Sequence, residues 1–272
     1  MESQKLDLPS SLGKYGLSAQ EIAEFVADEF PVDYAFVTGS VLEGRAGPTS
    51  DLDVRAVCCP SDQHPAIDRS FSRADLAWCG TTRMTTLSGR PIHVIYWPSD
   101  VIASFLDRLT APWSSDSALP IFSAEIWEFR EELEVSAALI NSSRYAEDRR
   151  RAQSDASQVM RMQALLAAFD QASGETEGPL ASGDITLAAV RSLTAVNAAV
   201  DCFLHSRGHR VTKGKWRLRE LRNLDGTEGD VYGSFLAFNL DGIVGDESTM
   251  VAEIRRRLAW CNSLLLPIAL GS

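Results

Sequence analysis

The chain has 272 residues, 45% of them apolar and 23% charged, and a formal net charge of −11. That length suits one large domain or two of moderate size with a sizeable core. The acidity excludes a general basic field for gripping nucleic acid, so a nucleotide would need local cations or a metal ion.

Five cysteines (Cys58, Cys59, Cys79, Cys202, Cys261) are odd in number and irregular in spacing. With no Cys-x-x-Cys pair, they read as buried thiols in a reducing cytoplasm rather than zinc ligands. The N-terminus MESQKLDLPSS has no basic start followed by an apolar stretch, so no secretory leader is expected there. The longest apolar run, Leu264 to Leu270, is interrupted by Pro267 and is too short to span a bilayer. The expectation is a cytoplasmic, soluble protein with no membrane partner.

In chain order, Ser18 with Glu21 three residues later forms a capping box, and Ile22, Phe25 and Val26 then recur at helical spacing up to Pro31. Tyr34 to Thr38 reads as a short buried strand, residues 41 to 50 as a loop or short turn of helix, and Asp51 to Cys59 as a second strand. The interval from Pro60 to Leu87 is mixed, with an amphipathic segment around Ala66 to Trp78. Ile92 to Trp97, rich in branched and aromatic residues, reads as a third strand. Residues 99 to 108 look helical, and Ala111 to Ser117 form a turn-rich break. Helices follow at Ala124 to Leu139, Ser143 to Asp170, Leu187 to His205, Trp216 to Leu221 and Thr249 to Leu266, with a Gly/Pro/Glu-rich loop at Ser173 to Gly183. A mixed half followed by a helical half gives an α+β protein. Its expected domains are 1–117, a small mixed sheet with flanking helices, and 118–272, an all-helical bundle.

The stretch FVTGSVLEGRAGPTSDLDV, residues 36 to 54, carries the chemistry. Side chains alternate along a strand, so Asp51 and Asp53 project together while Leu52 and Val54 face the core. Paired carboxylates about 7 Å apart at Cα can converge on shared cations, and Mg²⁺ takes one or two carboxylates and completes its shell with water and phosphate oxygens. A glycine at the strand exit, Gly39, lets a phosphate approach the backbone, with the Ser40 hydroxyl and nearby N–H groups as donors.

Gly39, Ser40, Gly44, Asp51 and Asp53 together resemble the signature of the nucleotidyltransferase superfamily that includes polymerase β and the aminoglycoside nucleotidyltransferases. The resemblance is specific over residues 33 to 55. It implies that Asp51 and Asp53 are catalytic and hold Mg²⁺, with Mn²⁺ as the alternative, and that Gly39, Ser40 and Ser50 bind a nucleoside triphosphate. The implied reaction is attack by a small-molecule acceptor on the α-phosphate with release of pyrophosphate, ATP being the default donor. Members of that superfamily usually carry a third acid on a neighbouring strand. Here PIHVIYW has none, and the missing acid falls at His93 or Ile95, with Ile95 favoured; His93 reads first as a hydrogen-bonded structural histidine and second as a third metal ligand, better suited to Mn²⁺ or Zn²⁺. Asp68 and Asp75 are alternative acids that no spacing supports.

In the helical half, GHRVTKGKWRLR gathers Arg210, Lys213, Lys215, Arg217 and Arg219. Lys215-Trp216 resembles a Lys-Trp element of small-molecule nucleotidyltransferases, which implies Lys215 for the β/γ-phosphates, while Trp216 is expected to pack between helices. The basic runs Arg149 to Arg151 and Arg255 to Arg257 fall on helix faces and read as solvent-facing, with Glu147 and Glu253 as expected pairing partners. No general base is assigned, Glu125 and Glu128 being near the expected boundary only. A catalytically degenerate fold that binds a nucleotide without transfer is the rival expectation, and transfer to protein or RNA is a third. A homodimer that completes the cleft stays open.

Overall fold

The computed structural model describes residues 8–28, 30–42, 47, 50–58, 81–111, 122–209, 214–225, 229–241, 243 and 245–269. The chain divides into two compact units, 1–158 and 159–272. The first contains α1 (Leu8–Tyr15), α2 (Ala19–Ala27), β1 (Val32–Thr38), α3 (Gly39–Leu42) and β2 (Leu52–Cys58). It continues with β3 (Thr81–Leu87), β4 (Arg90–Pro98), α4 (Ser99–Thr110), α5 (Ala124–Val135), β5 (Ala137–Ile140) and α6 (Ser142–Ala152). The second is built from α7 (Asp155–Ser182), whose first turn precedes the division, then α8 (Ile185–Ser206), a 3-10 turn at Gly214–Trp216, α9 (Arg217–Asp225), α10 (Asp230–Leu240) and α11 (Glu247–Ala269). A mixed sheet with flanking helices followed by a helical unit is the α+β architecture that the sequence leads one to expect.

The sheet has five strands in the order β3-β4-β2-β1-β5, with β2 and β4 parallel and the other neighbours antiparallel. Every residue of the central strand β2 is buried. Its Leu52, Val54, Ala56 and Cys58 join Ile92, Val94 and Tyr96 of β4 in a core completed by Leu12 of α1 and by Ile22 and Val26 of α2. Each fully buried Leu, Ile or Val among them contributes about 1.5–3 kcal/mol relative to exposure. On the opposite face, Phe36 of β1 and Trp97 of β4 meet Phe129 of α5 edge-on, at centroid distances of 5.6 and 5.4 Å. The Ser18–Glu21 capping box starts α2, the Ser18 N–H donating to Glu21 Oε2 at 2.8 Å and the Glu21 N–H to Ser18 Oγ at 3.2 Å. The β3–β4 hairpin turns on Ser88 and Gly89, with φ of 49° and 77°, the double left-handed pair that matches strand twist in a two-residue loop.

Several elements differ from the sequence reading. Ala137–Ile140 is not the end of a helix but strand β5, antiparallel to β1. The connection enters α6 through Asn141, whose side-chain amide donates to the Asp33 carbonyl at 2.8 Å. The segment 173–183 is not a loop: α7 runs through Gly174, Gly178 and Pro179 to Ser182. Leu165, Phe169 and Ala172 are buried in the second core with Leu180 packed against it, and Thr176, also buried, donates back to the Ala172 carbonyl at 2.8 Å. This helical stripe continues past the glycines and outweighs their poor propensity. The boundary expected at 117/118 compares with a division after residue 158, because α5, β5 and α6 pack with the sheet.

In the second unit, α8 is long and apolar enough by composition to cross a membrane. Its Ala188, Ala195, Val196, Ala199, Val200 and Leu204 instead face the helical core, with Ile254 and Leu258 of α11. Cys202 and Cys261 lie in that core as free thiols pushed up to about 12 by burial; Cys58 is buried in the sheet, its Sγ donating to the Trp97 carbonyl at 3.4 Å. The other two cysteines lie outside the described residues.

Candidate functional site

The site is built where β2 begins beside β4. The parallel register pairs Asp53 with His93 and Arg55 with Ile95. Paired residues of adjacent strands share a face, so Asp53 and His93 project together, opposite to the core-facing Leu52, Val54, Ile92 and Val94. Asp51 stands one residue before β2 and, by the same alternation, joins them. One ligand atom from each of Asp51, Asp53 and His93 lies within 4.8 Å of the others. His93 Nδ1 is 3.3 Å from Asp53 Oδ1 and 4.0 Å from Asp51 Oδ2. The side chain of Asp51 is 43% exposed and that of Asp53 12%, so Asp51 is the carboxylate that faces exchangeable water. The position on β4 that faces the aspartates is therefore His93's, and Ile95, the favoured place for the missing acid, lies opposite Arg55.

Gly39 opens α3 directly after β1 with φ of +78°, and a Cβ built there would press on the Asp53 side chain, 3.2 Å from its Cβ and 3.2 Å from its Cγ. The absent side chain thus makes room for the carboxylate itself. Ser40 follows on the first turn of α3. Ser50 is used locally: its Oγ accepts from the Gly47 N–H at 2.9 Å. Its carbonyl, with that of Pro91, accepts from the Tyr15 hydroxyl, at 2.7 and 2.9 Å. Tyr15 therefore ties the residue before Asp51 to the strand that carries His93, from a buried position at the end of α1. Burial raises the Tyr15 hydroxyl above its ordinary value; Arg90 opposes this, and the charges of Asp51 and Asp53 add to it.

Arg55 is two residues beyond Asp53 on the same face, only 2% exposed. Its Nε and Nη2 donate to both oxygens of Glu132 on α5, at 2.6 and 2.7 Å. Asp53 Oδ1 and Glu128 Oε1 each lie 3.9 Å from one of its terminal nitrogens. Desolvation pulls the guanidinium down, but Glu132, Asp53 and Glu128 outweigh it and hold it above its ordinary value, so Arg55 is a fixed positive charge behind the aspartates. Sequence reasoning passed over Arg55 and Tyr15. A signal was present for Arg55, since an arginine inside an apolar strand requires a buried partner; Glu132 is 77 positions away, beyond any local pattern.

Gly44, Asp68, Asp75, Arg210 and Lys213 lie outside the described residues, as does the side chain of Lys215. The rest of the basic segment is internally engaged: Arg217 grips Asp201 at 2.6 and 2.8 Å, and the Arg219 guanidinium lies 3.9 Å from the centre of the half-buried Trp216 ring. Nor are the arginine runs simply solvent-facing. Arg149 donates to the Glu134 carbonyl at 2.8 Å, and Arg257, 1% exposed, is held by Glu253, Ser192 and the Phe238 and Asp241 carbonyls.

The donor set fits a divalent cation. Octahedral bonds of about 2.1 Å place adjacent ligand atoms about 3 Å apart and opposite ones about 4 Å apart, and the spacings at His93 fall in that range. No protein-family model and no curated protein sequence matches the chain. Among solved structures, it is similar to a nucleotidyltransferase-like protein from Exiguobacterium sibiricum 255-15, with 12% identity and a TM-score of 0.48, over 91% of this chain and 74% of that one. A likeness at that level says nothing of which residues act.

Proposed function

We propose that the chain transfers a nucleoside monophosphate from a nucleoside triphosphate, ATP by default, to a small-molecule acceptor. The observation that carries this reading is the convergence of Asp51, Asp53 and His93 at the start of β2, beside the Gly39-Ser40 turn. Asp51 and Asp53 would hold the cation, and Gly39, Ser40 and Ser50 the triphosphate. A bound divalent cation supplies neutralisation of the phosphate oxygens and Lewis acidity at the reacting phosphorus. Asp53, packed on Gly39 and backed by Arg55, is the fixed anchor; Asp51, more exposed, is the side open to substrate. The acceptor oxygen or nitrogen bonds to the α-phosphorus as the bond to the pyrophosphate oxygen breaks and the acceptor's proton passes to water, and the chain's part is positioning and charge rather than covalent catalysis.

The test is transfer of an α-labelled nucleotide across a panel of hydroxyl and amine acceptors, with pyrophosphate release measured in parallel. Asp51→Asn and Asp53→Asn should each lower the rate roughly a hundred-fold or more; turnover that survives both changes overturns the assignment. One observation favours a second reading: β4 offers His93 in place of an acid opposite Asp53. A protein that binds nucleotide equally well with and without divalent cation in calorimetry, and transfers no label, fits that reading of a binding protein instead.

A further inference from the structure

We infer that His93 is the third protein ligand of the cation and that it makes the site prefer Mn²⁺ to Mg²⁺, an inference that rests on the metal-dependent reading above. The register places the His93 ring beside Asp53, with Nδ1 the nitrogen turned towards both carboxylates, at 3.3 and 4.0 Å. The shorter approach is a His93–Asp53 hydrogen bond, and both spacings also suit ligand atoms on one coordination sphere. The neighbouring strand offers no carboxylate here: Met84 of β3 pairs with His93, flanked on the same face by Thr82 and Thr86. Ile92 and Val94 of β4 point into the core. Among these strand residues, the third protein donor to the cation is an imidazole nitrogen.

That choice changes the ion. Mg²⁺ dehydrates reluctantly and takes oxygen ligands almost exclusively. Imidazole suits the later divalent metals, and Mn²⁺ lies lowest among them in affinity, accepting carboxylate, phosphate and imidazole together. Two carboxylates, one imidazole and triphosphate oxygens make a mixed shell that Mn²⁺ tolerates better than Mg²⁺ does. The same shell explains how a strand without the third acid keeps a three-ligand site.

The experiment uses the full chain with MnCl₂ alone, before any acceptor is known. Free Mn²⁺ is followed by electron paramagnetic resonance, bound Mn²⁺ by pulsed measurements that detect a directly bonded nitrogen, and the Mn²⁺/Mg²⁺ preference by displacement with MgCl₂. The wild type should show one bound nitrogen and a several-fold preference for Mn²⁺. His93→Asp should abolish the nitrogen signal and shift the preference several-fold towards Mg²⁺. His93→Gln, nearly the same size and without a ring nitrogen, should abolish the signal and serves where the third carboxylate impairs folding, which circular dichroism checks. Bound Mn²⁺ that is lost in Asp53→Asn yet shows no nitrogen coupling in the wild type overturns the role of His93 and leaves the metal site standing. Absence of Mn²⁺ binding that depends on Asp51 and Asp53 overturns the metal reading itself.

Discussion

Arg55 and Glu132 form a two-pronged ion pair that joins the central strand to α5, with Nε–Oε2 at 2.6 Å and Nη2–Oε1 at 2.7 Å. Both side chains are buried, at 2% and 5% exposure. The pair fixes the helix that covers the aromatic face of the sheet, and it sets a positive charge 3.9 Å from Asp53. Structure and site chemistry thus share one guanidinium.

A buried pair is worth little against a well-packed apolar replacement, but breaking it from one side strands a charge, at about 3–5 kcal/mol. Glu132→Gln should therefore lower unfolding stability by about 3 kcal/mol, since Asp53 and Glu128 retain part of the compensation. The double change Arg55→Met with Glu132→Met should recover most of that loss and, with the positive charge gone, tighten Mn²⁺ binding at Asp51 and Asp53. Chemical denaturation and calorimetry read the two effects separately. A Glu132→Gln protein as stable as wild type would show that the pair is not what seats α5.

Gly39 and Gly89 have nearly the same backbone, φ of +78° and +77°, but different surroundings. An alanine Cβ at 89 meets nothing within 4 Å, whereas at 39 it meets the Asp53 side chain. Both Gly→Ala changes should carry the left-handed backbone cost of about 1–2 kcal/mol. Only Gly39→Ala should also weaken cation binding, because the Asp53 carboxylate must move. Equal Mn²⁺ affinities in the two variants, by calorimetry, would refute the idea that Gly39 exists to seat Asp53.

The legible parts of this chain are those fixed by near neighbours. Strands β1, β2 and β4, the capped helix α2 and the shared face of Asp51 and Asp53 all follow from alternation or spacing within a few residues. What escaped depends on distant partners. β5 is four residues of Ala-Ala-Leu-Ile that are helical by propensity and become a strand only because the β1 edge is open beside them. The tail of α7 carries Gly174, Gly178 and Pro179, and stays helical because its stripe packs in the second core. Within the site, the choice between His93 and Ile95 needed the β2–β4 register, which no local pattern encodes. The Tyr15 link to Ser50 and Pro91 spans 35 and 76 positions.

Asp148 on α6 offers a test by pH. Its side chain is 2% exposed, with Arg144 and Arg151 nitrogens 3.6 and 3.8 Å away. Burial pushes its carboxyl above the ordinary range, against the opposing pull of Arg144, the Tyr34 hydroxyl and Arg151. Burial, with the Asp148 charge adding to it, also holds the Tyr34 hydroxyl well above its usual value, so that tyrosine stays protonated. A carboxyl raised in the folded state binds its proton more tightly there than in the unfolded chain. Its contribution to stability is therefore full below the unfolded value of about 3.9 and is lost as pH rises through the folded value. Asp148→Asn cannot ionise and lacks this loss. Relative to wild type, the variant should gain stability over the interval from about pH 4 up through the raised folded value, measured by urea unfolding at each pH. A variant that instead loses ground over that interval would show that the two arginines outweigh burial at this carboxylate.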